Sequence, residues 1–320
     1  MRRVLVLGGT GWLGRQVAVA ARDDGAKVVC LARGHSGEVP DGVELVQADR
    51  LLPGAYDRIV GEWDEVIELA YEPELVEPAV QALGPRAGHW TLVSSVSVYA
   101  DNSTPGANET AELVEPRDLS VYPDAKVAAE KASAELVGDR LLIARPGLIV
   151  GPGDPSDRFG YWPARLRRGG RVLTPSTAGR FVQAIDVDDL AQWIVQAGAA
   201  RHIGVVNAVG AVHTMEDFFR ATRAATGFDG ELVAIDDDTL LAYGVHYWAG
   251  PRSLPLWLPI ADGGFVQRDG ASFLSAEGQL RPLADTLQRT LSDEVKRGID
   301  RPRRSGLTTS DEQEVLASAR

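Results

Sequence analysis

Cysteine is almost absent from this chain of 320 residues: Cys30 stands alone, so no internal disulfide can form. One thiol and five scattered histidines offer no ligand set with the spacing of a structural zinc site, and no metal is expected. A protein without disulfides has the cytoplasm as its default compartment. Long hydrophobic runs are missing as well. Val4 to Leu7 is far too short to span a bilayer, and Gly8, Gly9 and Gly11 follow at once, so neither a membrane span nor a signal peptide is expected. Positive charge is in deficit, 33 Lys and Arg against 45 Asp and Glu, for a formal net charge of −12. Such a surface repels a phosphate backbone and sets nucleic acid aside as a partner.

What remains is ordinary globular composition, 44% hydrophobic and 24% charged, in a chain long enough for one large domain or two coupled ones. Short aliphatic runs alternate with amphipathic ones. Val4–Leu7, Lys27–Leu31, Val43–Val46, Glu65–Leu69, Trp90–Val93 and Leu141–Ala144 read as strands, by length and β-branched content. Trp12–Asp24, Glu74–Leu83 and Pro123–Val137 read as helices, the last opening on a proline that a first turn tolerates. Strand–helix alternation of this kind predicts an α/β fold, a doubly wound parallel sheet with right-handed crossovers.

Beyond Arg145-Pro146 the texture changes. Gly151 to Pro163 is dense in Gly and Pro and reads as an irregular loop. A short basic helix (Ala164–Arg168), a strand ending near Ile185, a helix Val187–Gln196, a strand Gly204–Asn207 and a late helix Leu283–Lys296 follow. Tyr247 to Gly264, rich in Trp, Pro and Gly, reads as a cover, and Arg301 to Arg320 as a polar end that frays or caps a surface.

Gly8-Gly9-Thr10-Gly11-Trp12-Leu13-Gly14 joins the first strand to the first helix. Glycines at 8, 11 and 14 let the backbone turn tightly, let a pyrophosphate approach and let helix pack on strand. At the head of a βαβ unit this is a Rossmann-type dinucleotide signature, with Gly8, Thr10, Gly11, Trp12, Leu13 and Gly14 as candidate contacts. An acidic residue after the second strand would mark NAD. Here Leu31-Ala32-Arg33 leaves room, and Arg33 is suited to a ribose 2′-phosphate, so NADP(H) is expected over NAD. A solvated loop arginine is the duller alternative. Asp49 stands where an adenine amino group would lie, or caps the next turn.

Tyr122 and Lys126 are four apart, neighbours on one helix face. A nearby cation favours phenolate and makes a tyrosine usable as acid and base near neutrality. Upstream, the Trp90–Val93 strand runs into Ser94-Ser95-Val96-Ser97-Val98-Tyr99, hydroxyls at the edge where open α/β sheets bind ligands.

With these features the chain resembles the extended branch of the short-chain dehydrogenase/reductase superfamily, the NAD-dependent epimerase/dehydratase-like proteins. The likeness spans roughly residues 1–295. It includes Leu69-Ala70, Ala144-Arg145-Pro146-Gly147, Gly151-Pro152-Gly153-Asp154 and Gln183 to Ala191. The resemblance implies a catalytic triad of Ser95, Tyr122 and Lys126, with Ser94 and Ser97 as weaker alternatives to Ser95. It also implies cofactor contacts at Leu69, Ala70, Lys126 and Pro146, and a homodimer built through two helices per subunit. The expected organisation is an NAD(P)-binding Rossmann domain over 1–150, completed by about 181–210. A smaller substrate-binding region covers 151–180 and 211–295, and 296–320 form a polar C-terminal tail.

Two departures matter. Sugar-nucleotide dehydratases of the family carry Asp-Glu after the catalytic hydroxyl, whereas Val96-Ser97 follow Ser95, so elimination of water is disfavoured. The missing acid after the second strand fits exchangeable NADPH better than a permanently held NAD. The expectation is therefore an NADP(H)-dependent oxidoreductase acting on the carbonyl or alcohol of a small molecule. An NDP-sugar epimerase with the same triad and a non-catalytic dinucleotide sensor are the alternatives. Arg165, Arg167, Arg168, Arg171 and Arg252 suit a substrate diphosphate, or a solvated face. Tyr161, Trp162, Tyr247, Trp248 and Trp257 suit a pocket wall, or plain core. Phe218 and Phe219 read as packing, Cys30 as a buried small hydrophobe, and His202, His213 and His246 receive no role.

Overall fold

Aliphatic runs without polar breaks make strands that need cover on both faces. The computed structural model describes residues 1–318, and its first half is built that way. In order come β1 (Arg3–Leu7), α1 (Trp12–Asp23), β2 (Lys27–Ala32), β3 (Glu44–Gln47), β4 (Glu65–Glu68), α2 (Pro73–Leu83), β5 (Trp90–Val93), α3 (Tyr122–Val137) and β6 (Leu141–Ala144). Further on are β7 (Leu148–Val150), α4 (Arg158–Arg167), β8 (Arg171–Pro175), β9 (Phe181–Asp186), α5 (Val187–Ala199) and β10 (Gly204–Val206). Successive side chains on a strand point to opposite faces. Val4 and Val6 accordingly pack under α1 and α5 with Val17, Ala18, Leu190 and Ile194. Leu5 and Leu7 pack under α2 and α3 with Val76, Val80, Leu83 and Ala129.

The seven-stranded sheet runs β10-β6-β5-β4-β1-β2-β3 with every pair parallel. Strand order reverses between β1 and β4, and the crevice outside their C-terminal ends is where this architecture receives ligands. The doubly wound, Rossmann-type sheet expected from the sequence is the one observed.

The C-terminal portion is smaller and stitched from short pieces. Its further elements are β11 (Val212–Thr214), α6 (Met215–Thr226), β12 (Glu231–Ile235), α7 (Asp237–Ala242), β13 (His246–Trp248), β14 (Ser253–Pro255), α8 (Ala271–Ser275), α9 (Leu283–Arg297) and α10 (Thr309–Ser318). Phe159, Trp162, Phe218, Phe219, Trp257, Leu287 and Val315 form its core.

Two expectations change here. The Gly151–Pro163 loop is only half a loop: α4 starts at Arg158 and carries Pro163 in its interior, because Phe159, Tyr161 and Trp162 gain more by burial than one missing backbone bond costs. The 296–320 segment is no loose tail over its described part. Leu307, Val315 and Leu316 are buried in the C-terminal core, and α10 anchors the end; Ala319 and Arg320 lie outside the described residues. No helix among the described residues is long and apolar enough to cross a membrane.

Candidate functional site

β1 ends at Leu7, and the chain turns through Gly8 at φ +96°, a conformation that L side chains resist. Gly11 donates its amide to Gly8 O at 3.1 Å and opens α1. A methyl group on Gly14 would lie 2.4 Å from Gly8 O, so only glycine lets helix and turn approach. Gly9 is constrained from the other side by Cys30, whose sulfur would sit 2.2 Å from an added Cβ. Burial raises the Cys30 thiol to about 12, so it acts as packing rather than as a nucleophile. No side chain caps the start of α1 and no acid lies in its first turn. Its free amides therefore face an open cleft of about 1010 Å³.

The structure brings most of the candidate cofactor residues onto that cleft. Gly8, Thr10, Gly11, Trp12, Leu13 and Gly14 form its floor, Leu69 and Ala70 its inner wall, and Arg33 and Asp49 its outer rim. Arg33 is exposed and its guanidinium has no protein partner among the described residues, while Gln47 Nε2 holds the turn through Arg33 O at 2.9 Å. Asp49 lines the cleft and caps the following turn through Leu51 N at 3.0 Å. Trp12 leaves the loop sideways, and its Nε1 donates to Pro152 O at 2.8 Å, tying the glycine loop to the 151–157 loop. Pro146 is not on this wall; its carbonyl accepts from Val96 N at 3.0 Å and supports the serine turn.

Tyr71 and Glu72 line the cleft, and the hydroxyl cluster lies beside Tyr71. The Tyr71 ring meets the Tyr122 ring edge-on, centroids 4.9 Å apart. Ser95 Oγ accepts from Ser97 N at 3.1 Å, which fixes it at the end of β5, and it interacts with the Tyr122 phenol. Ser94 is turned into the interior with its hydroxyl unbonded, and Ser97 acts as partner to Ser95. Lys126, one turn along α3, is buried; its Nζ donates to Val93 O at 2.6 Å and lies 5.0 Å from the Tyr71 ring centre and 5.7 Å from that of Tyr122. Ser95, Tyr122 and Lys126 are thus gathered beside Tyr71, although none of the three lines the cleft itself.

The electrostatics differ from the sequence expectation. Burial pushes the Tyr122 phenol up, with Tyr71 and Glu72 adding to the rise; Ser95 and the charge of Arg158 oppose it. Burial also brings Lys126 down to about 8, against the attraction of Glu68, Glu72 and Glu130. The phenol is therefore raised, not lowered, and the cation opposing that rise is Arg158. Sequence reasoning missed Tyr71 and Glu72, although they directly follow Leu69-Ala70. It missed Arg158 because α4 was read as loop.

On the substrate side most expected residues serve the fold. Arg165 is buried against Glu312 at 2.6 Å, Arg171 pairs with Glu231 at 3.0 Å, and Arg252 bridges Asp311 and Glu314. Arg167 donates to Thr226 O at 3.3 Å and Arg168 to Thr309 Oγ1 at 3.0 Å. None of these arginines lines the cleft. Tyr161, Trp162 and Trp257 are core, as are Phe218 and Phe219; Tyr247 lies on the Trp257 ring. Trp248 packs against the same core, with the Arg158 guanidinium over its ring.

A family model described as the NAD dependent epimerase/dehydratase family matches residues 4–80 and 75–208. Among curated proteins, the mouse (Mus musculus) epimerase family protein SDR39U1 is 27% identical over 245 residues, covering 70% of this chain and 81% of the relative. A dTDP-6-deoxy-L-talose 4-dehydrogenase (NAD(P)(+)) from Kitasatospora kifunensis is 28% identical over 247 residues, covering 67% and 77%. A solved UDP-N-acetylglucosamine 4-epimerase from Bacillus cereus superposes with a TM-score of 0.71 at 16% identity, over 96% of this chain and 100% of that one, a likeness of fold.

Proposed function

The chain belongs to the NAD-dependent epimerase/dehydratase family, and we propose that it is an NADP(H)-dependent oxidoreductase interconverting a carbonyl and an alcohol on a small molecule. The observation that carries this reading is the contact of Tyr71 with Tyr122: a ring that lines the nucleotide-sized cleft meets the tyrosine that pairs with Ser95. The residues present fit a dinucleotide. The uncapped α1 amides suit a pyrophosphate, and Gly14 lets the helix that presents them pack against the Gly8 turn. Ala32 and the free Arg33, with His35 and Ser36 beside it on the rim, suit a 2′-phosphate rather than a bare ribose.

A bound nicotinamide dinucleotide supplies or receives the hydride. The protein's own work is proton transfer and orientation. Tyr122 gives its phenolic proton to the substrate oxygen in reduction and takes it back in oxidation; the Ser95 hydroxyl, held by Ser97 N, steadies that oxygen. Lys126, anchored on Val93 O, packs against both tyrosine rings and orients them, while the charge that opposes the rise of the Tyr122 phenol is that of Arg158.

Keto compounds and NDP-sugars offered with NADPH, followed by loss of reduced nicotinamide, test the reading. Tyr122→Phe should lower turnover by roughly 10²–10⁴-fold while NADPH binding stays unchanged. Conversion of an NDP-sugar with no net NADPH consumption would mean an epimerase using the same triad. Binding of NADPH with turnover of nothing would mean a sensor. Either result overturns the oxidoreductase.

A further inference from the structure

Many arginines in the C-terminal portion are neutralised by carboxylates; Arg167, Arg223 and Arg268 instead meet backbone or amide oxygens, and Arg158 has neither kind of partner for its forked end among the described residues. Asp157, buried at the left-handed position before α4 (φ 59°), receives Arg301 and Arg297, and accepts from Arg304 N at 2.8 Å. Glu294, buried beside it, pairs with Arg303 at 2.6 Å and Arg301 at 3.1 Å. The next residue after Asp157 is Arg158, and it stands outside this network. Among the described residues no carboxylate lies within salt-bridge distance of it; its one side-chain bond is from Nε to Ser156 Oγ at 3.2 Å. Asp154, the nearest acid by charge, is buried and already accepts from Ser156 N and Oγ at 2.8 and 2.9 Å.

The guanidinium is nevertheless fixed. Its Cζ lies 5.1 Å over the Trp248 ring, and Trp248 meets the Phe265 ring edge-on at 5.5 Å. Trp248 adopts φ +69°, a genuine outlier for a bulky residue, stabilised by donation from its amide to Trp257 O at 2.9 Å. Stacking on a face leaves the planar edge of a guanidinium, with its forked N–H groups, free for an oxyanion. The loop that leads into Arg158 is tied to the glycine loop by Trp12 Nε1 donating to Pro152 O at 2.8 Å, and the Tyr122 phenol feels the Arg158 charge.

We propose that Arg158, clamped by Trp248, receives an oxyanion of the substrate, a carboxylate or phosphate carried near the reacting carbon. The inference rests on the oxidoreductase reading for the identity of that carbon, and not for the anion site itself. Oxyanion binding would also neutralise the charge that opposes the rise of the Tyr122 phenol, keeping it protonated as the acid of the reductive direction.

Titration calorimetry with oxalate and, separately, inorganic phosphate compares the wild-type chain with Arg158→Met and Arg158→Lys. Weakening by roughly 10–100-fold in Arg158→Met is expected for the preferred anion, as for loss of a charge-assisted pair. Arg158→Lys should fall between, since it keeps the charge and loses the fork. The anion that loses affinity identifies the source. Equal affinity of both anions for all three proteins, with far-UV circular dichroism unchanged, overturns the site. Arg158-dependent binding without NADPH turnover of any keto acid or keto phosphate would leave the anion site standing and remove the oxidoreductase reading. Turnover of neutral ketones with a KM indifferent to Arg158 would do the reverse.

Discussion

The sheet domain and the C-terminal portion differ in how far they depend on ion pairs. At the outer rim of the cleft Arg33 stands exposed with no protein partner among the described residues, and the α1 amides are uncapped. In the C-terminal portion Arg165, Arg180, Arg281, Arg289, Arg301 and Arg303 are all bound to carboxylates that tie short strands and helices together. The sheet domain is stabilised by alternating aliphatic faces with only a few buried pairs, Arg50–Glu68 and Arg145–Glu130 among them, and leaves Arg33 unpaired among the described residues. The C-terminal portion has a core assembled from distant pieces, and ion pairs fix how they meet. A count of arginines therefore says little about an anion site; an arginine without a carboxylate says much more.

The comparison breaks most visibly at Glu312. This residue of α10 takes Arg165 Nε at 2.6 Å and Leu173 N at 3.0 Å, both in buried surroundings. Glu312→Ala should destabilise the protein by about 3–5 kcal/mol, the cost of leaving one buried charge without its partner. Thermal unfolding measures it, and a loss below ~1 kcal/mol would mean that the C-terminal ion pairs are surface decoration. Gly14→Ala comes next. Its methyl group meets Gly8 O and Gly9 Cα, both backbone atoms that cannot swing aside. The expected loss is about 1–3 kcal/mol of stability together with dinucleotide binding, whereas Glu312→Ala should spare binding in the molecules that remain folded.

Particular residues explain what the sequence made legible. Gly8, Gly11 and Gly14, the strands β1, β2, β4, β5 and β6, and the Tyr122–Lys126 spacing all follow from local patterns, where neighbours in sequence determine the geometry. Arg165 was misjudged because its partner Glu312 lies 147 residues away, a distance no periodicity reports. The end of the chain was read as a tail because Leu307, Val315 and Leu316 are too sparse to make an amphipathic stripe on their own; they need the C-terminal core to be buried. Arg158 was hidden by glycines and prolines that signal loop, although Phe159, Tyr161 and Trp162 gave enough apolar surface to build α4 around Pro163.

Within the sheet domain Arg50 and Arg145 are buried against Glu68 and Glu130, whereas Lys126 is buried with no carboxylate in salt-bridge distance among the described residues, and its pH dependence sharpens the contrast. Lys126 is brought to about 8 by burial, below the usual value of 10.5. Below pH 8 both folded and unfolded chains hold the proton, and the penalty of burying the charge is fully present. Between pH 8 and 10.5 the unfolded chain binds more protons than the folded one, so this group's contribution to stability rises with pH. Cys30, raised to about 12, acts in the opposite sense once the unfolded thiol ionises. The difference between wild type and Lys126→Met isolates the lysine: it should shift in favour of wild type by on the order of 1–3 kcal/mol from pH 7.5 to 10 in denaturant unfolding. A flat difference would mean that Lys126 is hydrated in solution.

The smallest effect tests the free cation directly. Arg33 is exposed, so removing it should leave the fold alone: Arg33→Ala ought to change unfolding free energy by less than about 0.5 kcal/mol. Its guanidinium is nonetheless the group on the rim suited to a 2′-phosphate, and NADPH affinity should fall by roughly 10-fold while NADH affinity is unchanged. Arg171→Ala serves as the counterpart, since Arg171 is likewise partly exposed but paired with Glu231 and remote from the cleft wall. It should alter neither affinity. If both substitutions left NADPH binding untouched, the unpaired state of Arg33 would carry no recognition. If both weakened it equally, long-range charge rather than a local contact would hold the nucleotide, and raising the salt concentration would erase the difference.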